Sequence, residues 1–438
     1  MTIVARVLRA AAVVSLVVLP TAMCAQSDTS TSAFEVNGLR VIFRHNPAND
    51  VVAANLYLLG GTQQLSPATQ GVETLLLRAS ERGTARFPGP SVRQLTAGLG
   101  STIVIAPSED WTRFGFTSVR ANFDSTWAIF ADRVMAPTLD SNEVELVRAQ
   151  MIDIFRQGEN DPDALVARVA DSISFADHPY GFTPEGTDAS LGSITLGALR
   201  DYHAQQFVTS RMLLVVVGNI ERARLEELVG RTLAQLPRGA YTWSPPKPPA
   251  KLGKGLTVRE ADLPTNYLLG YYVGPPAQDA DYQALRVASA VLSGRFFSEI
   301  RSRRNLSYEV DAPFLERAIS TGGVYVTTTD PNTTLRIMRT ELDRLQRELI
   351  DERGLDRLTL QFLTDYYLKN ETNGDQATML ARAQVYQGDY RAANRFGAEL
   401  RKVTPEDVRR VARQYIRDFR FVYLGRSASL SRALIDQF

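Results

Sequence analysis

Histidine and cysteine, the side chains that most often bind zinc in proteins, are few in this sequence: it has three histidines, His45, His178 and His203, and one cysteine, Cys24. No two histidines lie four residues apart, the spacing that places a zinc-binding pair on one helix face. His178 lies in the turn-like segment 177–181, where we expect a structural role. The sequence contains no phosphate-binding loop, dinucleotide glycine fingerprint or Gly-x-Ser-x-Gly elbow. The residues alone therefore indicate no self-contained catalytic centre.

The composition indicates a globular protein of more than one domain. The chain has 438 residues, of which 44% are hydrophobic and 22% are charged. At about 100–200 residues per domain, this length predicts two or more domains, and the composition excludes disorder and fibrous structure. The formal net charge of +1 excludes a basic nucleic-acid-binding protein, because no cationic excess is available to release counterions.

The N-terminal residues 1–25 have the pattern of an export signal. Arg6 and Arg9 precede a short apolar run that ends in small residues. The run is too short to span a bilayer, which needs about 20 apolar residues, and no other segment reaches that length. Cleavage at its end would remove Cys24 and release a thiol-free periplasmic or secreted protein. Lipid anchoring at Cys24 is the less favoured alternative, because the residues before it fit the lipidation pattern poorly.

A proline-rich segment divides the remaining chain. Residues 241–256 contain four prolines within positions 245–249, which disfavour helix and remove amide donors. We therefore predict an N-terminal half, 26–240, and a C-terminal half, 257–438.

The two halves end alike, which indicates a duplicated α/β unit. A helix pattern that starts at Thr195 precedes an apolar strand at 212–218, and one that starts at Thr404 precedes a strand at 420–425. Within each half, strands and helices alternate, in an α+β pattern. The predicted strands are 34–36, 39–43, 51–59, 111–119, 266–273 and 324–329, and the predicted helices are 71–80, 141–157, 282–292, 297–303 and 334–350.

The order of short motifs along the chain resembles that of the insulinase/pitrilysin-type zinc metallopeptidases, across essentially all of the sequence after the signal. The motifs that carry this resemblance are Gly60-Gly61-Thr62, the glycine-led helix at Gly71, Glu159-Asn160-Asp161-Pro162, His178-Pro179-Tyr180-Gly181, Leu292–Phe296, Glu299–Tyr308 and Val403–Val408. Each motif is weak alone, but the collinear series is specific. The resemblance implies two homologous halves, each a mostly antiparallel sheet with helices packed on one face. Together they would form a clam-like shell around a peptide chamber.

The resemblance also implies that this chain has lost the family's zinc site. Active members carry His-x-x-Glu-His on the first helix, with a further glutamate ligand on a later one. Here Thr74 and Arg78 stand at the histidine positions, Leu77 stands at the glutamate position, and Ile154 lies near the position of the later ligand. A guanidinium cannot ligate zinc and leucine cannot accept a proton. We therefore expect no metal or cofactor on this chain and no hydrolysis by this chain alone.

A second family feature is retained in the C-terminal half. Members place an arginine seven residues before a tyrosine, and both project towards the zinc centre of the other half or of another subunit. Arg301 and Tyr308 keep this spacing, and we expect Arg301 on the last turn of a helix and Tyr308 at the start of the next strand. A guanidinium and a phenol are both donors suited to a developing oxyanion. The structural alternative is that Arg301 pairs with a surface acid and Tyr308 packs in the core.

These features favour an exported subunit of a heteromeric peptidase. In two-gene versions of the family, one subunit carries the zinc helix and the other carries the arginine–tyrosine pair. The chain would then need a zinc-binding paralogue as its partner and unfolded peptide as the substrate. The alternative is a non-enzymatic peptide-binding or scaffold protein of the same fold.

Overall fold

The computed structural model describes residues 30–249 and 252–438, and the predicted export signal with Cys24 lies outside these ranges. The described residues form two sheets surrounded by helices, which confirms the α+β fold class. None of the helices in these ranges is long and apolar enough to cross a membrane.

The described part of the N-terminal half, residues 30–240, contains six strands and eight helices, apart from short 3₁₀ turns. They are β1 (Thr31–Val36), β2 (Leu39–His45), β3 (Val51–Leu59), α1 (Val72–Ala79), α2 (Ser91–Gly98), β4 (Thr102–Pro107), β5 (Trp111–Val119), α3 (Phe123–Met135), α4 (Ser141–Glu159), α5 (Pro162–Ser174), α6 (Asp188–Ser193), α7 (Leu196–Gln206), β6 (Met212–Gly218) and α8 (Arg222–Arg231).

The C-terminal half repeats this alternation with shorter edge strands. Its elements are β7 (Gly255–Glu260), β8 (Asn266–Pro276), α9 (Asp281–Phe296), a π-helical turn (Phe297–Ser302), β9 (Val310–Asp311), β10 (Phe314–Leu315), β11 (Ile319–Thr328), α10 (Pro331–Arg347), α11 (Glu352–Leu368), α12 (Asn373–Gln387), α13 (Phe396–Leu400), α14 (Pro405–Tyr415), β12 (Arg420–Gly425) and α15 (Arg432–Ile435).

The strand order supports the predicted duplication. The first sheet runs β1-β2-β6-β3-β5-β4, and the second runs β7-β12-β8-β11-β10 with β9 paired to β11. In the first sheet, β6 is parallel to β2 and antiparallel to β3. In the second sheet, β12 is likewise parallel to β7 and antiparallel to β8. The helices that precede β6 and β12, which are α7 and α14, both start with a threonine cap, Thr195 and Thr404. At Thr404 the cap is a reciprocal capping box with Asp407.

Local turn chemistry explains the first hairpin. Asn37 and Gly38 both have positive φ, 48° and 82°, as a two-residue turn between antiparallel strands requires. The predicted helix at 297–303 differs from the structure, which has a π-helical turn there as a continuation of α9. The strand predicted at 324–329 begins earlier, at Ile319.

Each sheet has helices of its own half on one face, and one helix of the opposite half covers the other face. Helix α12 of the C-terminal half packs on β3 and β6, and helix α5 of the N-terminal half packs on β8 and β12. Tyr57, Leu213 and Val215 of the first sheet are buried in the same cluster as Leu380 and Tyr386 of α12. This exchange of helices joins the two halves.

The segment between the halves is anchored to α12. Residues 241–249 form no helix or strand. The indole Nε1 of Trp243 donates a hydrogen bond to the Val385 carbonyl (3.0 Å). Strand β7 begins at Gly255, within the range 241–256 that the sequence suggested for the linker.

Candidate functional site

Helix α1 is the element on which a zinc site would be built, and a glycine fixes its start. Gly71 precedes α1 with a φ of 83°, a conformation that L side chains rarely adopt. A Cβ at this position would lie 2.7 Å from the Gly186 Cα. Seven of the eight residues of α1 are buried, and the helix packs against α4 and α7.

The structure brings three of the four predicted degenerate positions to one cavity. Thr74, Arg78 and Ile154 line a cavity of about 900 Å³ over α1, α4 and α5, and Ile154 is 54% exposed. Leu77, the fourth, is fully buried in the core of the N-terminal half. The hydroxyl of Thr74 donates to the Pro184 carbonyl (2.7 Å), so its proton already has an acceptor.

Zinc does not fit these residues. A guanidinium, a hydroxyl that is bound to a carbonyl and an aliphatic side chain supply no ligand set. Within residues 30–249 and 252–438, no group of three or more His, Cys, Asp or Glu side chains could hold a metal ion. Arg78 instead places a positive charge at the cavity wall, and its buried Nε finds no hydrogen-bond partner among the described residues.

The remaining acid of α1 is held by structural contacts. The Glu73 carboxylate is buried, lies 2.6 Å from Nη1 of Arg211 and accepts a hydrogen bond from the Tyr202 hydroxyl (3.0 Å). Burial by itself would lower the pKa of Arg211, but the charge of Glu73 outweighs it and raises that pKa. Glu73 therefore anchors α1 and is not free to act as a base.

Arg301 and Tyr308 lie side by side on the surface of the C-terminal half. The guanidinium carbon of Arg301 is 5.0 Å from the centre of the Tyr308 ring and 5.2 Å from that of Phe297. Such distances allow cation–π attraction. Tyr308 is 81% exposed and Arg301 is exposed. Neither residue lines the cavity over α1. The alternative in which Tyr308 packs in the core does not agree with this exposure.

The backbone that carries the pair is well defined by local hydrogen bonds. Arg301 lies in the π-helical turn after α9, and Tyr308 lies in a bend two residues before β9. Arg301 therefore lies in the last turn of the helical segment, as expected, whereas Tyr308 lies just before the strand that it was expected to start. The Leu306 amide donates to the Ile300 carbonyl (3.0 Å), and the Ser307 hydroxyl donates to the Glu309 carbonyl (2.6 Å).

Sequence reasoning missed a buried polar seam between the halves, at the side of the cavity. The Asp110 carboxylate accepts hydrogen bonds from the hydroxyls of Tyr180 (2.8 Å) and Tyr386 (2.7 Å) and from the Ala318 amide (2.8 Å). Burial raises the pKa of Asp110 and of both tyrosines. Tyr386 and Ala318 lie more than 200 residues from Asp110, so no local pattern could have indicated this cluster.

Arg317 completes the seam. Its guanidinium contacts Glu109 (2.6 Å) and Asp171 (2.9 Å), both of which line the cavity in the N-terminal half. Burial raises the pKa of Asp171, and Arg317 opposes that shift. One cation of the C-terminal half thus neutralises part of the acidic cavity wall.

His178 has the structural role that its turn sequence indicated. Its Nδ1 accepts a hydrogen bond from the Tyr180 amide (3.1 Å), and Nε2 lies 3.1 Å from the Lys247 carbonyl. Burial lowers the pKa of His178, so the neutral ring with its proton on Nε2 satisfies both contacts.

Two family models match consecutive parts of the chain. Residues 40–187 match "Insulinase (Peptidase family M16)", and residues 193–362 match "Peptidase M16 inactive domain". The two matches together extend from β2 to α11 and leave few residues between them.

Known proteins match over much of the same region. The uncharacterized zinc protease ML0855 of Mycobacterium leprae is 25% identical over 62% of this chain and 63% of its own length. The uncharacterized zinc protease YmxG of Bacillus subtilis is 20% identical over 90% of this chain and 98% of its own. The mitochondrial-processing peptidase subunit beta of Blastocladiella emersonii is 23% identical over 58% of this chain and 55% of its own.

A solved structure shares the fold. It is described as a peptidase M16 inactive domain from Pseudomonas fluorescens, with a TM-score of 0.83 and 20% identity over 91% of this chain and 98% of that one. The likeness confirms the arrangement of two similar halves that the sequence indicated.

Proposed function

This chain belongs to the insulinase family of peptidases, M16, and we propose that within it the chain is an exported, zinc-free subunit that completes the active site of a zinc-bearing paralogue. Arg301 and Tyr308 would be its contribution to the shared site. The substrate would be unfolded peptide, and the zinc ion would belong to the partner.

The observation that carries this proposal is the exposed arginine–tyrosine pair. A tyrosine that is 81% exposed and an arginine stacked on it contribute little to the fold of their own half. Together they present a cation and a phenolic donor to whatever approaches that surface. Donors arranged in this way can stabilise the oxyanion that forms when a peptide carbonyl is attacked, and the loss of one typically costs about 10²–10³ in rate.

Two further observations support a division of labour. The cavity over α1 carries Thr74 and Arg78 where active members carry histidines, so this chain offers no zinc ligands there. A relative of this chain is named as the beta subunit of a processing peptidase. A subunit that supplies hydrogen-bond donors to a shared site and has no zinc ligands of its own agrees with both observations.

Reconstitution tests the proposal. The full chain is co-expressed with a paralogue that carries His-x-x-Glu-His, and cleavage of a fluorogenic unfolded peptide is measured together with the mass of the complex. Each chain alone should be inactive, and the pair should cleave. Arg301→Ala or Tyr308→Phe should lower kcat by about 10²-fold and leave the complex intact.

Matched variants separate a catalytic effect from a surface effect. Arg391 also lies over a tyrosine ring, that of Tyr390, at 5.3 Å, and Tyr367 is a second tyrosine with 69% exposure. Arg391→Ala and Tyr367→Phe should leave kcat unchanged. The proposal fails if the Arg301 and Tyr308 variants behave like these controls. A stable complex that never cleaves would favour the scaffold alternative instead.

A further inference from the structure

A second cavity of about 450 Å³ lies in the C-terminal half, among α9, α11, α12 and residues 392–396. Five aromatic rings line it, those of Tyr282, Phe362, Tyr366, Tyr386 and Phe396. Tyr366 and Phe396 stack with ring centres 4.3 Å apart. Its volume is within the range of small-ligand pockets, and none of its lining residues lines the cavity over α1.

One wall of this second cavity has an excess of positive charge. Arg286 and Arg382 both line it, and both contact the same carboxylate, that of Glu316. Two guanidinium groups therefore share one negative charge. The guanidinium carbon of Arg286 also lies 5.3 Å from the centre of the Phe396 ring, and its side chain is 23% exposed. A guanidinium next to an aromatic surface is a good receptor for a carboxylate.

The acidic side chains of this cavity have other partners or neighbours. Glu399 accepts a hydrogen bond from Lys402 (2.8 Å), and Asp375 accepts one from the hydroxyl of Thr372 (2.5 Å), the cap of α12. Asp365 stands one helical turn before Lys369, which also lines the cavity. The candidate receptor for an anion in this cavity is therefore the Arg286–Arg382 wall.

A buried acceptor points to a second feature of the ligand. The Oε1 atom of Gln283 is shielded from solvent and has no hydrogen-bond donor among the described residues. Gln283 lines the cavity and lies three residues before Arg286 on α9, so the two side chains share a helix face. An unsatisfied buried acceptor is destabilising, and because Gln283 lines the cavity, rotation of its amide would let a ligand N–H next to the carboxylate satisfy it.

We infer that this cavity binds the C-terminal residue of a peptide, with an aromatic or large apolar side chain. The side chain packs among the rings, the terminal carboxylate is held by Arg286 and Arg382, and the amide N–H donates to Gln283. This site is separate from the zinc-free cavity over α1. The isolated chain can therefore bind its ligand without a partner subunit.

Calorimetric titration of the full chain with three probes tests the inference. N-acetyl-L-phenylalanine offers the ring, the carboxylate and the N–H, and it should bind saturably. N-acetyl-L-phenylalanine amide lacks the charge, and 3-phenylpropionate lacks the N–H. The amide should bind about tenfold or more weakly, because it loses charge-assisted hydrogen bonds. 3-Phenylpropionate should bind several-fold more weakly, because Gln283 then stays unpaired.

Variants locate the binding. Arg286→Met should weaken N-acetyl-L-phenylalanine by about tenfold or more, and so should Gln283→Glu, which sets a carboxylate against the ligand's own. Arg391→Met, an exposed arginine outside this cavity, should change nothing. Thermal melts verify the fold. If Arg286→Met does not fold, Arg382→Gln at the more exposed arginine replaces it.

Four results would overturn the inference. They are the absence of saturable heat at millimolar N-acetyl-L-phenylalanine, equal affinity for acid and amide, equal affinity for 3-phenylpropionate, and variants that bind like the wild-type chain. Equal affinity for 3-phenylpropionate would assign the cavity to a free aromatic acid. None of these results bears on cleavage by the reconstituted pair.

Discussion

The buried ion pair of Glu73 and Arg211 shows, at the scale of single residues, how side-chain contacts hold α1 in position. In the described structure, both side chains are nearly inaccessible, at 6% and 0% exposure, and Arg211 also donates to the Leu59 carbonyl (2.7 Å). These contacts and the hydrogen bond from the Tyr202 hydroxyl to Glu73 hold α1 to β3 and α7.

Glu73→Gln should therefore destabilise the fold strongly. The substitution leaves the Arg211 charge buried without its counterion, which typically lowers the free energy of unfolding by about 3–5 kcal/mol. Urea denaturation measures the change. Glu226→Gln removes the partner of Arg222 (2.7 Å) in an exposed pair and should cost less than about 1 kcal/mol. Equal costs for the two variants would show that the buried pair is not the anchor.

His178 gives the stability of the fold a pH dependence. Burial holds its pKa below the ordinary value of 6.5 in the folded state, and the unfolded chain takes up the proton first as the pH falls. The stability that neutral His178 provides is complete above about pH 6.5 and is lost as the pH falls towards the folded pKa. Protonation also sets an N–H at Nδ1 against the Tyr180 amide, which is itself a donor.

His178→Gln should therefore flatten the pH profile. The free energy of unfolding of the wild-type chain should fall more steeply between pH 7.5 and 5.5 than that of the variant, as measured by urea melts across that range. His203, whose pKa burial also lowers, contributes with the same sign in both proteins. Parallel profiles would mean that His178 has the same proton affinity in the folded and unfolded chains.

At the scale of elements, the start of α1 depends on one glycine. Gly71→Ala would place a Cβ 2.7 Å from the Gly186 Cα at a φ of 83°. Because the colliding atom is backbone, α1 must shift, and we expect a loss of about 1–3 kcal/mol of stability by thermal or urea melts. Gly294→Ala, within α9 and with no atom within 4 Å of the new Cβ, should instead stabilise by about 0.5–1 kcal/mol. A neutral Gly71→Ala would contradict this picture of α1.

The sequence predicted the elements whose signals are local. The turn at Asn37 and Gly38 requires positive φ, and the cap at Thr404 satisfies the first amides of α14, so both were visible in a few residues. The π-helical turn after α9 was not predictable, because an i to i+5 pattern leaves the apolar spacing nearly unchanged.

The candidate site was predictable only in part, because some of its features depend on contacts between segments that are distant in the sequence. The resemblance to the metallopeptidase family placed Thr74, Arg78 and Ile154 together, and the structure puts all three at one cavity. The spacing could not indicate that Leu77 turns into the core, nor that Arg317 supplies the charge that faces the cavity acids. The burial of Leu77 and the contacts of Arg317 depend on how distant segments pack, so the sequence around each residue contains no signal for them.

At the scale of the whole molecule, the exchange of α5 and α12 makes each half incomplete without the other. Each sheet would expose an apolar face if the opposite helix were removed, since Leu269 and Val422 are buried with Val166 of α5, as Tyr57 is with Leu380 of α12. The polar seam at Asp110 and Arg317 lies between these two apolar contacts. The two halves are therefore joined by apolar packing and by polar contacts.

Substitution of Arg317 tests whether the seam holds the halves together. Arg317→Met leaves the carboxylates of Glu109 and Asp171 without their shared cation, and we expect a loss of about 3–5 kcal/mol in the free energy of unfolding. Because the lost contacts join the halves, limited proteolysis within residues 241–256 should also become faster.

Arg410→Met is the matched control, since its partners Asp281 (2.7 Å) and Asp407 (3.1 Å) lie in its own half and its side chain is 48% exposed. The control should cost less than about 1 kcal/mol and leave the cleavage rate unchanged. Equal cleavage rates for both variants would show that the apolar packing of α5 and α12 alone holds the halves in place.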